Sequence, residues 1–165
     1  MEIKSDIKLR GTVWDTAIRK LSNLFSTRTN YTIYMLSMAI GIMYDKRIIK
    51  LEDGSGDEHF VPRNVINNND NGKLDFYFQA AILTTTTESI SEENRLELAF
   101  GDSIDFEKLS FLTQFANFGV TKLVELIGDT DLESMDKIKN FMVASVEGRN
   151  FDIDELNLEE IEIDE

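Results

Sequence analysis

The chain has 165 residues, 42% of them hydrophobic, which suits one domain with its own core and leaves too little for two. It contains no cysteine, which excludes disulfides, thiolate metal sites and cysteine nucleophiles. The net charge of −14 is unevenly divided: residues 1–50 carry nine bases against four acids, and the rest of the chain eight bases against 27 acids. Residues 1–150 therefore read as a single helical domain with a basic portion at 1–50, followed by an acidic tail at 151–165.

The opening "MEIKSDIKLRG" lacks the apolar run of a secretion signal. The longest apolar stretch, "YTIYMLSMAIGIMY", has about fourteen residues against the roughly twenty of a membrane-spanning helix. A cytoplasmic protein with no membrane partner is expected. "DTAIRKLSNLF" places Ala17, Ile18, Leu21, Leu24 and Phe25 on one helical face and Arg19, Lys20 and Asn23 on the other. Thr29 or Asn30 then caps a second helix that runs to about Tyr44 and is apolar on nearly every side. With Ile33, Met35, Leu36, Met38, Ala39, Ile40, Ile42 and Met43 surrounding its axis, this helix belongs at the centre of the core or partly in a homo-oligomer interface. The bases Arg10, Arg19, Lys20, Arg28, Lys46 and Arg47 are the candidates for contact with DNA or an acidic partner.

Residues 46–72 hold the only proline and two turn clusters, and read as loop or a short hairpin. His59 lies here and is expected to be an exposed loop histidine, since Ser55 has no G-x-S-x-G elbow around it to make a nucleophile. "NNNDNGKLDFYF" imitates a calcium loop with Asn67, Asn69, Asn71, Gly72, Leu74 and Asp75, but the first ligand position is Asn67 and the twelfth is Phe78. A turn is the better account. The following "LDFYFQAAILTTTTESI" fits helical spacing in its first half, while its aromatics and threonines favour a strand; a helix to about Thr84 is expected.

Ser91 caps a helix over "EENRLELAF". Phe106, Leu109, Leu112, Phe115, Leu123, Val124 and Ile127 then recur at helical spacing, with Gly119 marking a kink or break. Thr130 and Glu133 form a capping-box pair for a last helix ended by Gly148. The fold class is thus mainly α, a compact bundle of five or six helices with a loop or short hairpin around 46–72. Asp102, Asp105, Asp129 and Asp131 sit next to hydroxyls where helices begin, which favours capping over a magnesium site. The acid-x-Lys of a nuclease occurs only as Glu2-Ile3-Lys4 and Asp6-Ile7-Lys8, with no partner acid upstream, and there is no phosphate-binding glycine loop. No catalytic residue, metal or cofactor is expected.

The segment "FDIDELNLEEIEIDE" carries eight carboxylates and no base. Its apolar members Phe151, Ile153, Leu156, Leu158, Ile161 and Ile163 are spaced by two at both ends, as in a strand. It reads as a docking peptide that adds to a sheet edge on a partner.

"DTAIRKLSNLFSTRTNYTIYMLSMAI" resembles the opening of the DndE family, small helical accessory proteins of bacterial DNA phosphorothioation. The likeness lies in a short helix with Leu21 and Leu24, a Thr-Asn turn at Thr29 and Asn30, and an apolar helix ending in Ala39-Ile40. "LTQFANFGVTKLVELI" is similar to that family's late helix, with Gly119 and Val120 as its Gly-Val pair, so the resemblance covers most of residues 7–127. It implies a compact helical oligomer associated with DNA and with a larger DNA-modifying protein subunit, without chemistry of its own. The expected function is a non-catalytic accessory or adaptor subunit of a DNA-modification or phage-defence complex, its basic portion towards DNA or an acidic partner and its acidic portion towards protein. The alternative is an acidic inhibitor that mimics nucleic acid on a nuclease or DNA-binding enzyme.

Overall fold

A computed structural model describes residues 1, 3–27, 29–51, 56–85, 90–101 and 106–146. The acidic tail with its candidate docking residues lies outside them, as do Arg28, Ser55, Asp102, Asp105 and Gly148. The described elements are β1 (Ile7–Leu9), α1 (Thr12–Leu21), α2 (Thr29–Met43), β2 (His59–Val61), α3 (Arg63–Asn69), α4 (Lys73–Thr84), α5 (Glu92–Phe100), α6 (Lys108–Glu125) and α7 (Asp131–Val146). The protein is a mainly helical bundle with one two-stranded antiparallel ribbon, in which Ile7 pairs with Val61 and Leu9 with His59. Residues 46–72 do contain a strand, but its partner is the N-terminal β1, and a short helix α3 follows it.

The first helix starts at Thr12, ahead of the expected Asp15, because Gly11 at φ 106° turns the chain directly out of β1. It buries Trp14, Ala17, Ile18 and Leu21, while Leu24 and Phe25 pack on the core from the turn beyond it. Thr29 and Asn30, expected as caps, are the first two residues of α2; the Thr29 hydroxyl donates back to the Phe25 carbonyl at 2.6 Å, and none of the helix's residues is exposed. Tyr31, Ile33, Tyr34, Met35, Met38 and Ile40 are buried against the rest of the chain, while Thr29, Thr32, Leu36, Ala39 and Met43 run half-buried along one face.

Helices α2 and α6 make the most extensive helix contact of the fold. They cross at glycines: a Cβ on Gly41 would fall within 3.0 Å of the Phe115 carbonyl, and one on Gly119 within 3.0 Å of the Ser37 carbonyl. Gly119 thus neither kinks nor breaks α6, which runs uninterrupted from Lys108 to Glu125. It is there because backbone must touch backbone. From this seam the rings of Phe115, Phe111, Phe106 and Phe78 extend the core to α4, with centroids 5.1–5.5 Å apart.

The calcium-like segment is used structurally. Asn67 exchanges hydrogen bonds with the backbone of Ile3, Asp75 pairs with the N-terminal ammonium, and the buried Asp70 accepts from the Leu74 amide at 2.9 Å. Asn71 and Gly72 take left-handed backbone, φ 48° and 80°, to turn α3 into α4. Ser91 caps α5 by accepting from the Asn94 amide, and Arg95 folds inward to donate to the carbonyls of Ile82 and Thr85 at 2.6 and 2.7 Å. The capping pair ahead of α7 forms too: Thr130 Oγ1 accepts from the Glu133 amide, and Glu133 Oε2 from the Asp129 amide.

Candidate interaction site

An open cleft of about 740 Å³ lies where the end of β1, the 49–51 segment, residues 56–58 and α6 meet. Its floor is built by α6. Asn117 Oδ1 accepts from the indole of Trp14 at 3.1 Å, and Asn117 Nδ2 donates to the Ile48 carbonyl at 3.1 Å. The Ile48 amide donates to the Gln114 carbonyl at 2.9 Å, so the chain after α2 is strapped across α6 and leaves Ile49 82% exposed at the rim. Thr113 bonds the buried Tyr34 hydroxyl at 2.9 Å, and burial pushes that phenol well above its ordinary range.

Lys8, Arg10 and Lys50 line this cleft together with Asp57 and Glu58, so its walls carry both signs. Arg10 donates to Glu58. Arg19 bridges Asp15 at 2.7 Å and Asp57 at 2.5 Å. Hydrogen bonds from His59 and Arg19 hold the Asp15 carboxyl below the usual carboxylate range. His59 is not an exposed loop residue: it sits half-buried on β2 opposite Leu9, with Nε2 2.7 Å from Asp15 Oδ1. A charged side chain already opposite a carboxylate gains less from a phosphate than a free one does.

Of the six candidate bases, Arg10 and Arg19 thus belong to a carboxylate-laced network beside the cleft. Arg47 lies half-buried with its guanidinium 4.9 Å from the Phe111 ring centre and 5.6 Å from that of Phe115. Lys46 is exposed with its ammonium 5.8 Å from the Phe118 ring centre, and Lys20 is exposed on the outer face of α1.

The acidic portion offers a different surface. Helix α5 turns Ala99, Leu98 and Arg95 inward and presents Leu96, 52% exposed, and Phe100, 66% exposed. Glu93 and Glu97 flank them, and the four residues share one helical face beside a groove of about 530 Å³. This face carries two large apolar side chains, two carboxylates and no base. It is absent from the sequence-derived candidates. The signal that finds it is the i, i+4 pair Leu96 and Phe100 lying beside the i, i+4 pair Glu93 and Glu97, away from Ala99.

Among the described residues no group of three or more histidine or acidic side chains is placed to hold a metal ion, and no helix is long and apolar enough to cross a membrane. No protein-family model, curated protein or solved structure matches this chain.

Proposed function

We propose that the chain is a non-catalytic adaptor subunit of a bacterial DNA-modification or phage-defence complex in the cytoplasm, and that its acidic portion docks a basic segment of a larger protein subunit. The α5 face carries this reading, because Leu96 and Phe100 stand exposed between Glu93 and Glu97. A partner segment with an apolar anchor and flanking lysines or arginines matches both features. A nucleic-acid mimic needs the carboxylates but gains nothing from exposed Leu96 and Phe100, which favours the adaptor over the inhibitor. The basic portion contributes Lys20 and Lys46 towards DNA or an acidic partner, as the DndE resemblance implies.

The test is recovery of the tagged chain from its native host with its partner. Leu96→Asp with Phe100→Asp should abolish recovery of one specific larger subunit while leaving the helical circular dichroism unchanged. Retention of that subunit by the double variant would remove α5 from the interface. In the same preparation, DNA retention should fall steeply as salt rises and weaken in Lys20→Ala with Lys46→Ala. Absence of any retention at low salt would remove direct DNA contact.

A further inference from the structure

Helix α7 turns Ser134, Phe141 and Ala144 into the core. On its opposite side, at 100° per residue, Leu132, Met135, Asp136, Lys139, Val143 and Val146 fall within an arc of about 100°. The apolar members are 63%, 49%, 47% and 86% exposed, in chain order, and no other described element covers them. A stripe of this length, apolar towards both ends with two charges between, is a face that one helix can present to another.

The two charges on the stripe indicate which helix. Glu133 and Lys137, on its flank, are paired with each other at 2.8 Å. Asp136 and Lys139 are exposed, and among the described residues neither has an ion-pair partner. They are opposite in sign and one turn apart. A second α7 laid antiparallel places Asp136 of each copy against Lys139 of the other, and Leu132 of each against Val143 of the other. The pairing is self-complementary about a twofold axis, and the helix dipoles run in opposition. A parallel copy would oppose Asp136 to Asp136 and Lys139 to Lys139, and a partner of single charge would leave one of the two unmatched.

We propose that the outward face of α7 is a homodimer interface in which two copies pair antiparallel through Leu132, Met135, Val143 and Val146, with reciprocal Asp136–Lys139 bridges. This proposal is independent of the α5 reading, which concerns another helix.

The chain has no cysteine, so Leu132→Cys with Val143→Cys introduces its only thiols. On one helix these positions are about 16 Å apart, beyond the roughly 4–7 Å between Cα atoms that a disulfide spans. Any disulfide must therefore join two chains. Mild oxidation of the full chain should yield a covalent dimer from the double variant and none from Leu132→Cys alone. By sedimentation at about 100 µM, a concentration suited to a small interface, the unmodified chain should be a dimer. Asp136→Lys should weaken it about tenfold or more, and adding Lys139→Asp should restore it. These exposed positions leave folding intact, as circular dichroism would verify. A monomeric parent chain would overturn the proposal and mean that something else covers the face, residues 147–165 or another protein. A dimer indifferent to Asp136→Lys, no recovery in the reciprocal variant, or cross-linking through Leu132→Cys alone would overturn it equally.

Discussion

Gly119 on α6 rests directly against the Ser37 carbonyl on α2, leaving no room for even one methyl group between the two backbones. The same seam holds Gly41 against the Phe115 carbonyl. The obstacles are main-chain atoms within helices, which cannot rotate aside as a side chain would. Gly119→Ala should therefore cost about 3 kcal/mol or more, despite alanine's better helix propensity. Gly41→Ala should cost a similar amount. Urea unfolding measures both, and a loss under about 1 kcal/mol would mean that the helices separate easily at this crossing.

His59 and Arg19 both donate to Asp15, which ties β2 and the 57 region to α1. In the folded protein the hydrogen bonds from His59 and Arg19 hold the Asp15 carboxyl below its ordinary value. Its contribution to stability is therefore present above the unfolded value and is lost as pH falls through the lower folded value. The unmodified chain should lose more stability than Asp15→Asn as the pH is taken from about 5 to about 2. Carboxyl titration by NMR should show the Asp15 pKa rising in His59→Ala. An unchanged titration would mean that Arg19 alone sets it.

Asn117 serves two segments at once, accepting from Trp14 and donating to the Ile48 carbonyl. In Asn117→Ala the indole N–H and the Ile48 carbonyl both lose their side-chain partner, at a cost of about 1–3 kcal/mol. Trp14 is the only tryptophan, so its fluorescence reports the change directly. The spectrum should shift, and exchange of the Ile48 amide, which donates to Gln114, should accelerate. Unaltered exchange would show that the strap is held without Asn117.

What the sequence determined by itself was local. Helix α2 follows from an apolar run opened by Thr29 and Asn30, and α4 ends at the expected Thr84. Ser91, Thr130 and Glu133 cap the helices they were expected to cap, because a cap joins residues within one turn. The exposed faces of α5 and α7 are also written in their spacing, once it is known which side faces the core. That knowledge came only from tertiary structure. Strands of three residues have no detectable period, and the pairing of Leu9 with His59 joins distant parts of the chain. The same closure brings Glu58 to Arg10 and Asp57 to Arg19, which turns a basic N-terminal portion into a network of mixed charge. An apolar helix leaves open which of its sides enters the core, and only the packing of α6 and α1 against α2 decided that. Gly119 likewise permits a bend or a close approach, and the Ser37 carbonyl lying against it decided which. In each case the residue sets which conformations and contacts are affordable, while the element packed against it from elsewhere in the chain selects among them.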